Sequence, residues 1–287
     1  MKLLLSKAKN TVRNKLYDGV GTLVNLFDQD NVKKVVWVVS YPRSGNTWLR
    51  EIIARLNGYE GRKVIPGAHF DRDRVFDLAN DFYYNGEKVI LVKTHTLDFP
   101  KYLFSPTRAL RIQNHGFIYI YRHPLDVLIS SLNFLYSQKM SEFFFNGDLK
   151  SVDELKQTGE IDAYIDHYIN KFAIGNNAFT KMCGGSWLDH INAWLKRYQQ
   201  ADQYQSLIIK YEDIHHQPLS TLDPLADLFG KDSASLRNAI DLASTNTKID
   251  QRFFWKQKVG NYRQYLSEKH MREFNFKYRK TLSKLGY

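Results

Sequence analysis

Short apolar runs alternate with amphipathic stretches along most of the chain. Runs rich in β-branched and aromatic residues predict four buried strands, at residues 34–39, 89–93, 117–121 and 206–210. Apolar residues at helical spacing predict helices at residues 48–56, 125–135, 161–174, 186–199, 218–229 and 233–242. Strands that alternate with helices indicate an α/β fold with a mostly parallel sheet.

Residues 1–33 have a different pattern. Apolar residues recur there every four positions, from Leu4 to Leu16, with lysines and arginines between them, which predicts an amphipathic basic helix. Such a helix can pack on the domain or make a weak contact with a membrane surface, and the sequence leaves both open. No linker interrupts residues 34–287, so we expect a single domain there.

Composition excludes several classes of protein. The only cysteine, Cys183, rules out a disulfide scaffold, and runs such as residues 35–39 are far shorter than the ~20 residues of a membrane helix. We therefore expect a cytoplasmic protein without stable membrane insertion. The net charge of +11 calls for an anionic partner, and since no nucleic-acid-binding motif is visible, it favours a small anionic ligand over nucleic acid.

Polar residues follow each predicted strand, at the edge of the sheet where α/β proteins bind ligands. The first strand runs into a loop, residues 41–47, that ends at the start of a helix, an arrangement that binds anions. Gly45 would let the backbone approach an anion closely, and the loop lacks the Walker A pattern. The other strands end at Lys93 and His95, at Arg122, and at Tyr211.

These strand ends resemble motifs of PAPS-dependent sulfotransferases of the cytosolic type, where PAPS is 3′-phosphoadenosine-5′-phosphosulfate. The loop at residues 41–48 (YPRSGNTW) is similar to their phosphosulfate-binding loop, residues 93–95 (KTH) to their Lys-x-His strand end, and residues 121–130 to their 3′-phosphate motif. Further family segments are matched, in order, at residues 185–194, 210–213 and 258–263. The chain is identified as a member of this family, of the bacterial type.

The resemblance implies a fold and a reaction. The fold is a single α/β domain with a central parallel sheet of about five strands flanked by helices, as in P-loop NTPases. The reaction is in-line transfer of a sulfuryl group from PAPS to a hydroxyl or amine of a small-molecule acceptor, which gives PAP and needs no metal. His95 is the predicted general base, because an imidazole titrates near neutral pH.

The resemblance also assigns the donor contacts. Lys93 is predicted to stabilise charge on the leaving phosphate, and Arg43, where many members have lysine, to bind the 5′-phosphosulfate. The other predicted donor contacts are Ser44, Gly45, Asn46 and Thr47 in the same cradle, Arg122 and Ser130 at the 3′-phosphate, Trp48 and Tyr211 at the adenine, and Lys256 and Gly260 in a late loop. Residues 255–257 read WKQ where Arg-Lys-Gly is usual, which leaves Arg252 and Lys258 as candidates to replace the missing arginine.

The acceptor is the least constrained partner. Aromatic clusters at residues 82–84, 143–145 and 253–254 are candidate walls for an aromatic acceptor or a secondary metabolite, and ordinary packing explains each equally well. The family's dimer motif is not matched after Arg263, so the oligomeric state stays open. The sequence also bears on two other functions. The missing Lys-Ser/Thr pair argues against a kinase that uses ATP and Mg²⁺, and the presence of His95 argues against a non-catalytic nucleotide-binding scaffold.

Overall fold

The computed structural model describes residues 32–61, 65, 82–100, 103–104, 109–110, 112–173, 178–201, 205–249 and 258–287. The predicted N-terminal helix, the aromatic pair at residues 253–254, and both Arg252 and Lys256 therefore lie outside the described residues.

A five-stranded sheet forms the centre of the fold. The described strands are β1 (Lys33–Ser40), β2 (Phe82–Tyr84), β3 (Glu87–Thr94), β4 (Leu103–Phe104), β5 (Ala109–Leu110), β6 (Ile112–Tyr121) and β7 (Gln205–Lys210). The sheet has the order β2-β3-β1-β6-β7, and β4 pairs separately with β5. In this sheet, strands β3, β1, β6 and β7 are parallel to one another, as predicted.

The fifth strand makes the sheet mostly parallel, as predicted, and not fully parallel. Strand β2 runs antiparallel to β3 at the edge of the sheet. The two strands are joined by Asn85 and Gly86, which both have positive φ (49° and 77°). Residues that tolerate this conformation form the tight turn of a β-hairpin, which forces the strands to run in opposite directions.

Ten helices are described: α1 (Asn46–Leu56), α2 (Pro124–Ser137), α3 (Val152–Gln157), α4 (Ile161–Lys171), α5 (Ala178–Cys183), α6 (Trp187–Gln199), α7 (Tyr211–His216), α8 (Pro218–Leu228), α9 (Ser233–Ile249) and α10 (Glu268–Lys284). Short 3₁₀ turns lie at Ser141–Phe143, Phe145–Gly147 and Asn261–Gln264. Within these ranges no helix is long and apolar enough to cross a membrane.

The strands are buried because helices cover both faces of the sheet. In β1, Val35, Trp37 and Val39 pack with α2, α4, α6 and α10, whereas Val36 and Val38 pack with α1, α8 and α9. Successive side chains of a strand point to opposite faces, so a strand between two helical layers needs apolar residues at every position. This explains the continuous apolar run in the sequence.

The register of the sheet brings the carboxyl ends of its parallel strands together. Val39 of β1 lies beside Thr94 of β3, Ser40 beside Ile120 of β6, and Tyr121 beside Lys210 of β7. The polar residues that follow these strands are therefore neighbours at one edge of the sheet, although up to 168 positions (Arg43 to Tyr211) separate them in the sequence.

Candidate active site

A cavity of about 1080 Å³ lies at this edge of the sheet. Ten of the thirteen site residues predicted from the sequence line it: Arg43, Gly45, Asn46, Thr47, Trp48, Lys93, His95, Arg122, Ser130 and Tyr211. Two others, Ser44 and Gly260, are placed beside the cavity without lining it, and Lys256 is outside the described residues. The structure thus brings together almost all of the described residues that the strand ends predicted.

The loop after β1 has a backbone that requires glycine at its centre. Gly45 has φ +100°, and a Cβ there would stand 2.5 Å from the ring of Tyr211. Helix α1 begins directly afterwards, and Trp48 and Leu49 donate their backbone N–H groups to the Gly45 carbonyl. The hydroxyl of Ser44 is fully buried and has no hydrogen-bond partner within the described structure. A tight loop that leads into a helix start with such a hydroxyl suits a bound anion.

Two guanidinium groups approach each other inside the cavity. Nε of Arg43 donates to Oγ of Ser130 (3.1 Å), and its Cζ lies 4.9 Å from the centre of the Phe134 ring. Burial, together with the positive charge of Arg122, lowers the pKa of Arg43 to about 10. Because the two cations repel each other, an anion that contacts both would be favoured.

Arg122 is held from three sides. Its Nη2 donates to the Lys258 carbonyl (2.8 Å) and lies 3.5 Å from Oδ2 of Asp126, while its Cζ is 4.4 Å from the centre of the Tyr211 ring. Its Nε is buried without a hydrogen-bond partner among the described residues. This donor can serve an anionic ligand.

His95 is oriented by the end of the neighbouring strand. Its Nδ1 lies 2.6 Å from the Ser40 carbonyl oxygen, to which it donates, and 3.3 Å from the Ser40 hydroxyl. That hydrogen bond leaves Nε2 as the acceptor nitrogen of the ring. Burial, assisted by the positive charge of Lys93, holds the pKa of His95 well below 6.5. The ring is therefore neutral at pH 7 and able to accept a proton.

Asp126 connects the late loop to the start of α2. Its two carboxylate oxygens accept the backbone N–H groups of Gly260 (2.8 Å) and Tyr262 (3.0 Å). The His123 ring stacks on Tyr262 with 4.6 Å between ring centres. Gly260 thus shapes this loop instead of lining the cavity, whereas Asp126, Lys258 and Asn261 line it. Lys258 was predicted only as a candidate replacement for the missing arginine, and Asp126 and Asn261 were not predicted, because their roles depend on contacts across the chain.

Asp126→Ala should lower the free energy of unfolding by roughly 3 kcal/mol, since each buried donor left without a partner costs about 1–3 kcal/mol. Two backbone N–H groups would lose their acceptor, and Arg122 would lose its nearest carboxylate. Urea unfolding measures the change. Asp227→Ala, on the exposed side of α8, is the matched control and should leave stability unchanged. Equal effects of the two substitutions would contradict the role given to Asp126.

A second part of the cavity is apolar. It is lined by Phe134 and Leu135 near the end of α2, Met140 and Phe143 just beyond it, and Ala178, Phe179 and Met182 on α5. We call these seven residues the apolar chamber. Gln138 and Lys181 lie at its polar margin.

Most of the aromatic clusters singled out from the sequence lie elsewhere. Phe82 and Tyr84 are buried in the core behind the sheet, where the Tyr84 hydroxyl donates to the Gln205 carbonyl (2.9 Å). The prediction that residues 82–84 form a wall was therefore wrong. In the second cluster only Phe143 lines the cavity, since Phe144 is buried in the core and Phe145 stacks on Tyr164.

The third part of the cavity lies next to Trp48 and Tyr211, whose ring centres are 5.9 Å apart. Beside these two predicted residues it is lined by Ile214, His215, Pro218, Ile240 and Ser244, from α7, α8 and α9. Sequence reasoning missed this group because its members carry no motif. Over the described residues, no group of three or more His, Cys, Asp or Glu side chains is arranged to hold a metal ion.

Comparison with known proteins adds an independent finding. The model of the family described as "Sulfotransferase domain" matches residues 33–286. Sulfotransferase 2A1 of Rattus norvegicus is 27% identical over 214 residues, which cover 73% of this chain and 64% of that protein. The amine sulfotransferase of Oryctolagus cuniculus is 27% identical over 202 residues, 69% and 56% of the two chains. The chain thus matches less than two thirds of the length of these relatives.

A solved structure has the same fold. The crystal structure of mouse sulfotransferase SULT7A1 complexed with PAP superposes with a TM-score of 0.55 at 18% identity, over 92% of this chain and 89% of that one.

Proposed function

Because the chain belongs to the sulfotransferase domain family, we propose that it transfers the sulfuryl group of PAPS to a hydroxyl or amine of a small molecule. One observation carries the proposal. The cavity joins a glycine-centred loop at the start of α1 and two arginines to a neutral, oriented histidine and an apolar chamber. Each of these parts matches one requirement of the reaction: an anionic donor, a proton acceptor and an organic acceptor.

The donor end fits a nucleotide with two separated anionic groups. Ser44, Thr47 and Arg43 would hold the 5′-phosphosulfate at the start of α1, and Arg122 and Ser130 the 3′-phosphate. The unpartnered Ser44 hydroxyl and Arg122 Nε are polar atoms that a phosphate oxygen would satisfy. Trp48 and Tyr211 supply flat surfaces for the adenine. The mouse relative of this fold was solved with PAP, which supports a nucleotide of this kind.

The catalytic end fits transfer to a neutral nucleophile. Nε2 of His95 would accept the proton of the acceptor hydroxyl or amine as the new bond to sulfur forms. The bond from sulfur to the donor phosphate breaks at the same time, and the phosphate keeps the electron pair. Lys93, which lies near the end of β3 and two positions before His95, would stabilise the negative charge that develops on that phosphate. The products are PAP and the sulfated acceptor.

Ligand-dependent stability separates this function from nucleotide-dependent phosphoryl transfer. PAP should raise the melting temperature, because a ligand that binds only the folded state stabilises it. ATP with Mg²⁺ should raise it less. A panel with a hydroxysteroid, a phenol and a primary amine, each incubated with PAPS, then tests transfer by mass spectrometry. Stabilisation by ATP–Mg²⁺ alone would support a kinase.

The rate should depend on pH through His95. The base must be neutral, and its pKa lies well below 6.5 because of burial and the charge of Lys93. We therefore expect kcat/KM to stay level as the pH falls from 8 to 6.5, and to decline only as the pH falls through the lowered pKa. A pH–rate profile measures this. A decline centred on 6.5 or above would show that an ordinary, exposed histidine limits the reaction.

Activity should persist in EDTA. In phosphoryl transfer Mg²⁺ neutralises the leaving group, but here Arg43, Lys93 and the start of α1 face that group with fixed positive charge. Rates measured in EDTA and with added Mg²⁺ should agree. An absolute need for a divalent ion in the transfer step would contradict the assignment of these cations.

A further inference from the structure

One face of α6 holds the segment that follows His95. Nη1 of Arg197 donates to the Leu97 carbonyl (2.7 Å), and Nε1 of Trp194 donates to the Thr96 carbonyl (3.0 Å). The two side chains therefore fix the carbonyls of consecutive residues directly after the proposed base.

His190 extends this face by one turn. Its ring is fully buried, and burial lowers its pKa. The nearby backbone groups of His95 and Thr96 act in the opposite direction and raise that pKa. Residues 190, 194 and 197 are spaced i, i+4 and i+7, which places them on a single side of the helix. Helix α6 is itself well anchored at its start, because Ser186 and Asp189 form a capping box.

Arg197 makes the most contacts to this segment. Its Nη2 lies 2.7 Å from Oδ1 of Asp98, and its guanidinium packs over the rings of Trp194 (5.1 Å) and Phe99 (5.7 Å). A planar guanidinium can bind a carbonyl and a carboxylate at once while it stacks on aromatic rings. Arg197 thus clamps residues 97–99 as a unit.

The same segment is joined to the apolar chamber. The backbone N–H of Leu97 donates to the carbonyl of Cys183, the last residue of α5 (3.2 Å). The Leu97 side chain packs on Gly185, where a Cβ would stand only 2.8 Å from Leu97 Cδ1. Helix α5 carries Ala178, Phe179 and Met182 of the chamber. Leu97 therefore links the backbone that follows the base to the wall that would face the acceptor.

We infer that Arg197 is a positioning residue for the reaction: by clamping residues 97–99 between α6 and α5, it sets the direction of the His95 ring relative to the apolar chamber. The inference rests on the proposed function, since it takes His95 as the base. Arg197 does not line the cavity, so it acts through the loop and not on the reactants.

Exposure separates this role from a purely structural one. The side chains of Arg197 and Asp98 are 26% and 74% exposed, and ion pairs as accessible as this contribute little to stability. A displacement of about 1 Å in a catalytic group, by contrast, can lower a rate by ~100-fold. The charged and titratable groups that act on His95 are Lys93 of β3, Arg50 of α1 and His190 of α6, and Arg197 is not among them.

The test uses Arg197→Ala and Arg197→Lys, with Arg272→Ala as the control. Arg272 also pairs with a carboxylate, that of Glu268 (3.5 Å), but on the exposed face of α10. With PAPS and the acceptor of the panel that the wild type converts fastest, kcat of Arg197→Ala should fall ~10- to 100-fold. The dissociation constant for PAP should not change. Arg197→Lys keeps the positive charge but not the planar guanidinium, so its kcat should lie between those of the wild type and Arg197→Ala. The control should match the wild type.

Nitrogen NMR of the His95 ring supplies a readout that needs no acceptor. Its signals are assigned by their loss in His95→Asn. In the wild type they should show a single tautomer with the proton on Nδ1, and in Arg197→Ala a mixture of tautomers. Folded Arg197→Ala with wild-type kcat and a single His95 tautomer would overturn the inference, as would a parallel loss of kcat and PAP affinity. If the wild type neither binds PAP nor transfers the sulfuryl group, the proposed function fails, while the tautomer comparison still tests the positioning of His95.

Discussion

His95→Asn should lower kcat by ~10²- to 10⁴-fold, the usual contribution of a general base, and leave PAP affinity unchanged. Asparagine can keep a side-chain donor for the Ser40 carbonyl but has no basic nitrogen to replace Nε2. The loss of kcat in His95→Asn therefore reports on proton transfer and not on the structure of the strand end. Single-turnover rates and PAP calorimetry measure the two quantities.

The control for this substitution is His216→Asn. His216 lies on the exposed side of α7 and does not line the cavity. It should keep full activity. A His95→Asn enzyme with wild-type kcat would show that the acceptor loses its proton to another group.

Arg122→Ala should remove the preference for PAPS over adenosine 5′-phosphosulfate, which lacks the 3′-phosphate. A hydrogen bond to a charged group contributes about 1.5–3 kcal/mol, so PAPS should bind roughly 10- to 150-fold more weakly while the shorter donor is little affected. Arg122 is 8% exposed, and its unpartnered Nε is available to a ligand.

Competition calorimetry with both donors gives the ratio directly. Arg272→Ala, an exposed arginine of α10, should keep the wild-type ratio. If both donors weaken equally in Arg122→Ala, the residue stabilises the loop at Lys258 and Asp126 and does not read the 3′-phosphate.

The strand ends were the part of the site that the sequence could predict. Each buried strand is a continuous apolar run, because helices cover both faces, and the polar residue after it marks where the strand leaves the core. Parallel pairing then places those ends at one edge, so Arg43, His95, Arg122 and Tyr211 meet without any further information.

Contacts between distant segments could not be predicted in the same way. Asp126 accepts from Gly260, 134 positions away, and Trp194 reaches Thr96 across 98 positions. No local periodicity encodes such pairs. The aromatic residues at 82–84 were equally ambiguous, because an aromatic triplet suits a pocket wall and an edge strand alike. The turn-forming pair Asn85 and Gly86 was the available signal for an edge strand.

The contact that Arg43 makes with a predicted 3′-phosphate residue could also be seen only in the folded structure. The sequence prediction assigns Arg43 to the 5′-phosphosulfate, whereas in the structure its Nε is bonded to Ser130. The side chain thus contacts a residue that was predicted for the 3′-phosphate. Which of the two anionic groups Arg43 binds stays a prediction, and donors that lack one phosphate can test it.

Transfer of isotope-labelled sulfur from PAPS tests the central claim most directly. The protein is incubated in EDTA with sulfur-labelled PAPS and the panel of a hydroxysteroid, a phenol and a primary amine, and both products are quantified. The account predicts a labelled acceptor heavier by one SO₃ group and an equal amount of PAP, with both formed at least ~100-fold more slowly by His95→Asn. PAP binding without label transfer to any acceptor, or phosphate transfer from ATP in the same assay, would contradict it.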